Sequence, residues 1–285
     1  MKIITTGSRL RKETEARNLA PLGLVPTMGA LHNGHIALIK DAISRCPSVV
    51  VSIYVNPAQF NDKEDLKNYP RTFEADMKLL GSVLRDDDIV FHPDDAEIYP
   101  GGEKRSFKFG NLDNVMEALY RPGHFNGVGQ VVSRLFEIVK PDIAVFGQKD
   151  FQQLAVIKDL VRQTGDKVII LGHPIVREPD GLAMSSRNVL LEPKLRKEAS
   201  VIFNTLSLAT GMIKDHDISN IRKFVIETIE KTEGFSVDYF EIVDDTGLVP
   251  VASKRETVPG KSYFGCIAVK AGKIRLLDNI EFPLA

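Results

Sequence analysis

A chain of 285 residues with 43% hydrophobic side chains is long enough to bury one large core or two ordinary ones. Its 37 basic and 38 acidic side chains leave a formal net charge of -1, which excludes an overall field able to gather nucleic acid or an anionic membrane surface. Two cysteines, Cys46 and Cys266, are too few and too far apart for a disulfide framework or a paired zinc motif, so a reducing cytoplasm is the expected compartment.

The N-terminal stretch "MKIITTGSRLRKETEARN" turns polar after four residues, which leaves no apolar segment for a signal peptide. No later apolar run approaches the roughly 20 residues of a membrane span. Short runs rich in β-branched residues then recur: "LGLVP" (22–26), read as the first strand, "SVVVSIYV" (48–55), "DIVFHP" (88–93), "DIAVFG" (142–147) and "KVIILG" (167–172). They read as buried parallel strands. Between them, "GHIALIKDAISRC", "TFEADMKLLGSVLR", "GVGQVVSRLFEIVK" and "DFQQLAVIKDLVRQT" have helical spacing, and the alternation predicts a doubly wound α/β domain over residues 1–176. From 177 to 285 the pattern changes to a turn signal "EPDG", helical segments around 192–232 and strand-like runs "FSVDYFEIVD", "SYFGCIAVKAG" and "KIRLLDN", which predict a smaller α+β domain. The acidic runs "DDD" (86–88) and "PDD" (93–95) read as a solvated loop rather than a metal site.

In a doubly wound sheet, ligands sit beyond the carboxyl ends of the strands, so the stretches leaving those ends are where chemistry is expected. After "LGLVP" comes "TMGALHNGH". Gly29 and Gly34 permit close backbone approach, the following helix offers its N-terminus to an anion, and His32 and His35 share one side of the turn. The imidazoles can donate to phosphate oxygens; the spacing alone also suits a solvated glycine turn. "NPAQF" after the next strand supplies Asn56 and Gln59, neutral groups suited to hydroxyls and a carboxylate, or a plain Asn-Pro turn. "GQKDFQQ" brings Gly147, Lys149 for a phosphate, Asp150 for ribose hydroxyls or a helix cap, and Gln153 one turn on. In "VREPDGLAMSSRN", Ser185, Ser186 and Arg187 can make a compact phosphate clamp; a solvated polar loop is the default, but Ala183 and Met184 just before suggest a packed one. "YRPGHFNGVGQVVSRL" carries Arg121 and His124 before a helix, either as anion-binding groups or as parts of a mobile glycine-rich loop.

The ordered set "PTMGALHNGH", "SIYVNPAQF", "NYPRT", "YRPGHFNGV", "VFGQKDFQQL" and "REPDGLAMSSRN" resembles the pantothenate synthetase family, the pantoate:β-alanine ligases of coenzyme A biosynthesis. The likeness runs through nearly all of the N-terminal two thirds, whereas the far C-terminal segment lacks a diagnostic motif. It implies a Rossmann-like nucleotidylyltransferase domain related to class I aminoacyl-tRNA synthetases, with "HNGH" in the HxGH position and "MSSR" replacing the KMSKS-type loop. It also implies ATP as substrate, dependence on Mg²⁺, a homodimer, and a C-terminal lid domain.

Carried over residue by residue, the resemblance gives ATP contacts to Met28, Gly29, Ala30, Leu31, His32, Asn33, Gly34 and His35. Gly147, Gln148, Lys149 and Asp150 take the ribose and phosphates, Val176 makes a backbone contact to adenine, and Met184, Ser185, Ser186 and Arg187 form the loop over the phosphates. Gln59 is shared by pantoate and β-alanine, Gln153 is a second pantoate contact, and the implied catalytic set is His35 as proton donor, His32 as its partner at the phosphates and Lys149 near the reacting phosphate. The implied reaction condenses (R)-pantoate with β-alanine through pantoyl adenylate, releasing pyrophosphate and then AMP, with no covalent nucleophile and no protein metal site. Two rivals are a nucleotidylyltransferase that stops at the nucleotidylated product, and a nucleotide-binding sensor that has lost turnover. "NPAQF" and Gln153 speak against the first, and the intact histidines, Lys149 and "MSSR" against the second.

Overall fold

The computed structural model describes residues 1–17, 20–102 and 105–284. They fall into two units: Met1–Phe109, Arg121–Gln148 and Val156–Pro174 form the first, and Gly110–Tyr120, Lys149–Ala155 and Ile175–Ala285 the second. In chain order the elements are β1 (Lys2–Ile4), α1 (Gly7–Arg17), β2 (Leu22–Thr27), α2 (Asn33–Arg45), β3 (Ser48–Ile53), α3 (Lys63–Asn68), α4 (Phe73–Gly81), β4 (Ile89–Phe91) and α5 (Asp95–Ile98). Then come α6 (Glu117–Tyr120), α7 (His124–Val139), β5 (Ile143–Gly147), α8 (Phe151–Thr164), β6 (Ile169–His173), α9 (Pro193–Glu198), α10 (Val201–Met212), α11 (Ile218–Glu230), β7 (Phe235–Asp244), β8 (Tyr263–Ala271) and β9 (Ile274–Phe282). Among the described residues no helix is long and apolar enough to cross a membrane.

The first unit is built on a six-stranded parallel sheet in the order β1-β4-β3-β2-β5-β6. "LGLVP" is therefore the second strand, because Lys2–Ile4, too short to show a period, precedes it as β1. β2 pairs with β3 from Leu22↔Ser48 to Thr27↔Ile53 and with β5 at Gly23↔Ile143 and Leu24↔Ala144. The chain leaves β2 toward β3 and returns on the other side as β5, which makes the β2/β5 boundary the place where strand order reverses. Val25, Val49, Val51, Val90 and Val145 of the sheet pack with Ile39 of α2 and Leu80 of α4, as continuous apolar strands require. "KVIILG", expected to be buried, instead ends the sheet as β6, where Ile169 is 57% exposed because an edge strand receives less cover than the centre.

Pro26 sits inside central β2 although proline brings no N–H to a ladder. Beside it the Thr27 hydroxyl donates to the Ser52 carbonyl (2.7 Å) and accepts from Gly29 N (3.3 Å), which ties the strand end to the turn that follows.

The "DDD" run departs from a solvated loop at its last member. Asp88 is fully buried, and its carboxylate accepts from Val49 N (2.9 Å), Arg85 N (2.8 Å) and the Arg85 guanidinium, with Nη2 to Oδ1 at 2.9 Å and Nε to Oδ2 at 3.0 Å. It anchors the start of β3, whereas Asp86 lies on the surface as expected.

The second unit is α+β. Its antiparallel sheet β7-β8-β9 packs against α10 and α11 through Phe240, Ile242, Ile267, Ile202, Ile221 and Val225. Glu117 of α6 fastens residues 110–120 to this sheet: its carboxylate takes Arg275 Nη1 (2.6 Å) and Tyr239 OH (2.9 Å), and its N–H donates to Gln152 Oε1 (2.9 Å). Asp88→Ala in the first unit should cost about 3 kcal/mol, the scale for losing hydrogen bonds to a buried charge, while Asp86→Ala should stay within about 0.5 kcal/mol. Urea unfolding of the two variants measures the difference.

Candidate functional site

In the first unit, the turn after β2 is shaped by backbone conformation before any side chain enters. Gly29 has φ +78°, and a Cβ there would lie 3.1 Å from Asp76 Oδ2, so only glycine suits the position. Ala30 follows at φ +49°, a left-handed conformation that costs roughly 1 kcal/mol in a residue with a Cβ. What holds it is the buried carboxylate of Asp76 on α4: Oδ2 accepts from Ala30 N (3.0 Å), and Oδ1 from Leu31 N (2.8 Å) and Thr72 Oγ1 (3.1 Å).

The turn delivers the chain into α2 with His32 as its N-cap. His32 Nδ1 accepts from Gly34 N (3.1 Å), and His35 Nδ1 accepts from His32 N (3.3 Å), a capping box made of two imidazoles whose ring centres are 4.1 Å apart. A nitrogen that accepts carries no proton, so both rings are neutral and carry their N–H at Nε2. The pair thus presents two donors at a helix N-terminus, where the dipole favours an anion.

The second motif, at Asn56 to Phe60, divides into a buried support and a side chain it orients. Asn56 is wholly buried. Its Oδ1 accepts from Ala58 N (3.2 Å) and Tyr99 OH (2.7 Å), and its Nδ2 donates to Gln59 Oε1 and Gly127 O (both 3.1 Å), so its hydrogen-bonding capacity is spent inside the protein. Gln59 is thereby turned with its Nε2 toward Met28 Sδ (2.9 Å), which brings two of the expected site residues together. Arg121 and His124 are both bonded to the Gln59 backbone: His124 Nδ1 donates to the Gln59 carbonyl (2.7 Å), and Arg121 donates to the same carbonyl and to His124 Nε2 (both 3.2 Å). They hold the backbone of Gln59. Gly127 explains the close approach, since a Cβ there would sit 2.2 Å from Ala58 O.

Gly147 ends β5, next to β2, and Gln148 N donates to His173 O of β6 (2.8 Å). A Cβ at Gly147 would meet Leu38 at an ordinary 3.9 Å, so packing within the unit does not itself demand glycine.

In the second unit, the Lys149 side chain is 19% exposed, and its Nζ lies 3.4 Å from both carboxylate oxygens of Asp150. Of the two glutamines that follow, Gln152 is buried and donates to Leu112 O (2.7 Å) and Val115 O (2.9 Å), whereas Gln153 is half-buried, as a binding residue needs. "EPDG" forms the expected turn, with Gly181 at φ +94° and its N–H donating to Glu178 O (2.9 Å). Val176 O then accepts from Met184 N (3.0 Å), and Ser185 caps a short 3₁₀ turn over Ser186–Leu190 through Oγ to Arg187 N (3.3 Å). Ala183 is buried, and Met184, Ser185, Ser186 and Arg187 are half-buried, so the loop is packed.

Among the described residues no group of three or more His, Cys, Asp or Glu side chains is arranged to hold a metal. Asp76 is the main residue that sequence reasoning missed. Its one signal was an acidic side chain on the inner face of an amphipathic helix.

A family model described as pantoate-beta-alanine ligase matches residues 2–281. A pantothenate synthetase from Bacteroides thetaiotaomicron is 47% identical over 99% of both chains. Among solved structures, pantothenate synthetase from Thermus thermophilus superposes with a TM-score of 0.90 at 38% identity, covering 99% of this chain and 100% of that one. Pantoate-beta-alanine ligase from Francisella tularensis, complexed with beta-gamma ATP and beta-alanine, gives 0.78 at 32% identity, covering 99% and 97%.

If Asp76 holds the turn, Asp76→Ala should speed amide exchange at Ala30 and Leu31 by at least ~10-fold, the scale of losing one or two buried hydrogen bonds. Hydrogen exchange resolved at those two residues checks this, and unchanged protection would contradict it.

Proposed function

The chain belongs to the pantoate-beta-alanine ligase family and catalyses the ATP-dependent ligation of pantoate and β-alanine in pantothenate biosynthesis, and we propose that it does so through a pantoyl-adenylate intermediate. In the first step the (R)-pantoate carboxylate attacks the α-phosphorus of ATP, forming the mixed anhydride and expelling pyrophosphate. In the second the β-alanine amine attacks the acyl carbon, and AMP leaves with its oxygen. Both leaving groups are good, so the protein's contribution is alignment and charge stabilisation.

The observation that carries this reading is the histidine capping box. His32 and His35 accept main-chain N–H groups at Nδ1, so their Nε2–H groups serve as neutral donors to ATP phosphates. His35 acting as a proton donor would need an imidazolium, and protonating Nδ1 would break its bond from His32 N. It therefore stabilises charge by hydrogen bonding. Met28 to His35 line the nucleotide. Lys149 and Arg187 neutralise the phosphates, and the Ser185 and Ser186 hydroxyls donate to them. Gly147, Gln148 and Asp150 take the ribose side, and the Val176 backbone takes the adenine. Gln59 and Gln153 hold pantoate, and Gln59 also holds β-alanine. Residues 1–176 serve as the ATP- and pantoate-binding domain and 177–285 as a lid.

The described residues offer Mg²⁺ no cage of their own. The ion would enter with the nucleotide, bound through its phosphates. The remaining parts of the proposal are a homodimer and a cytoplasmic location; sedimentation at a monomer's mass would remove the first, and localisation of the tagged chain in cells tests the second.

The decisive experiment omits ATP, Mg²⁺, pantoate or β-alanine in turn and follows pyrophosphate and AMP separately. Pyrophosphate exchange that needs pantoate but not β-alanine is expected; exchange without pantoate, or none until β-alanine is added, contradicts the adenylate. His35→Ala and Lys149→Ala should each lower that exchange by at least ~10²-fold, the scale for one preorganised donor. In the wild type it should not fall as pH rises from about 6 to about 8, where an imidazolium acid would lose its proton. Gln59→Ala should slow both half-reactions, including β-alanine attack on supplied pantoyl adenylate. Loss of the first alone would contradict its shared role.

A further inference from the structure

The last strand of the second unit carries no recognisable motif, yet two consecutive residues on it bond to both segments of that unit assigned to ATP, Asp278 through the Arg177 side chain and Asn279 through the Lys149 carbonyl. Asp278 and Asn279 on β9 are each 4% exposed. As neighbours on a strand they point to opposite faces, so they act on different partners.

Asp278 binds the Arg177 guanidinium through both oxygens, at 2.7 Å from Nη1 and 2.9 Å from Nη2. The same guanidinium donates to Gly181 O (3.1 Å) and to Asn279 O (3.4 Å), and lies 3.9 Å over the Phe203 ring. Arg177 bridges antiparallel to Ala183, and Val176 O accepts from Met184 N, so Val176–Met184 is a short hairpin that leads directly into Ser185, Ser186 and Arg187. Fixing Arg177 fixes the base of that loop. Asn279 Nδ2 donates to Lys149 O (3.1 Å), which ties the main chain from which the Lys149 side chain extends.

This arrangement is costly as a source of stability. Burial pushes the Asp278 carboxyl up in pKa against the opposing pull of Arg177, and a buried ion pair seldom outperforms an apolar packing of equal volume. Its return is a defined geometry for two polar segments that are far apart in sequence.

We propose that Asp278 and Asn279 are positioning residues for adenylation, holding the Ser185–Arg187 loop and Lys149 respectively at the phosphates of ATP. The proposal rests on the assignment of those two segments to ATP. The contacts so held are placed at the β- and γ-phosphates, which a finished adenylate lacks, so the proposal separates adenylation from β-alanine attack.

The test uses the full-length chain with Asn279→Ala, Asp278→Asn and Lys149→Ala. Three readings are taken: pantoate-dependent ATP–pyrophosphate exchange, β-alanine attack on supplied pantoyl adenylate, and the thermal midpoint. Asn279→Ala should lose ~10- to 10²-fold in exchange, the scale of a displacement of about 1 Å at a reacting group, while amine transfer stays within about 2-fold. Asp278→Asn should show the same bias if it folds, and Asn279→Ala decides the matter if it does not. Equal losses in both half-reactions mean a structural role only and overturn the proposal. So does full exchange in Asn279→Ala beside a disabled Lys149→Ala, which refutes the tie itself. Full exchange in Lys149→Ala overturns it from the other side, through the assignment of Lys149 to the phosphates.

Discussion

The rest of the first unit depends on one constraint: β2 is hydrogen-bonded in parallel to β3 on one side and β5 on the other. Parallel neighbours cannot be joined by a hairpin, so every connection crosses over a face of the sheet and all strands end on the same side. Because the chain leaves β2 in one direction and returns in the other, the turns after β2 and β5 begin beside each other. The histidine turn and the "GQ" of Gly147 and Gln148 are those two turns. Their placement is a consequence of sheet topology and would follow for any sequence wound in this order.

A second theme is that polar residues expected to meet substrates are held by hydrogen bonds from other polar residues. Asp76 accepts the amides of the strained turn at Ala30, Asn56 fixes the amide plane of Gln59, and His124 with Arg121 holds the Gln59 carbonyl. In the second unit, Arg177 and Asn279 hold main chain in the same manner. A neutral hydrogen-bond donor stabilises developing charge in proportion to how little it must reorganise. Buried supports that spend their whole capacity inside the protein are how a chain with a net charge of -1 can arrange a site for a polyanion.

The histidine pair illustrates what geometry adds to residue type. As a pattern, two histidines three apart in a glycine turn suit phosphate binding or a solvated turn about equally. Once each Nδ1 accepts a backbone N–H, the proton is committed to Nε2 and the pair becomes two neutral donors. Acid–base use would have to break the helix cap that places the rings.

From the sequence alone the alternation of strands and helices, the change of pattern near residue 176, and the order of the motifs were legible, because hydrophobic period and turn chemistry are local properties. Likewise legible as candidates were Gly29, His32, Gly34, His35, Gln59, Lys149 and Ser185 to Arg187, since each sits in a short stretch that leaves a strand or turn, whereas Met28, Ala30, Leu31, Asn33 and Met184 were named only through the family resemblance. Asp76, Asn56 as a support, Asp88 as an anchor, and Asp278 with Asn279 were not. Asp76 lies 46 residues from Ala30, and Asn279 lies 130 residues from Lys149. Nothing local distinguishes a carboxylate that will be solvated, as Asp86 is, from one that will accept three or four buried hydrogen bonds, as Asp88 does. Local spacing determined which groups could do the chemistry; only the folded chain decided which way they point, because orientation is set by partners that sequence order keeps apart.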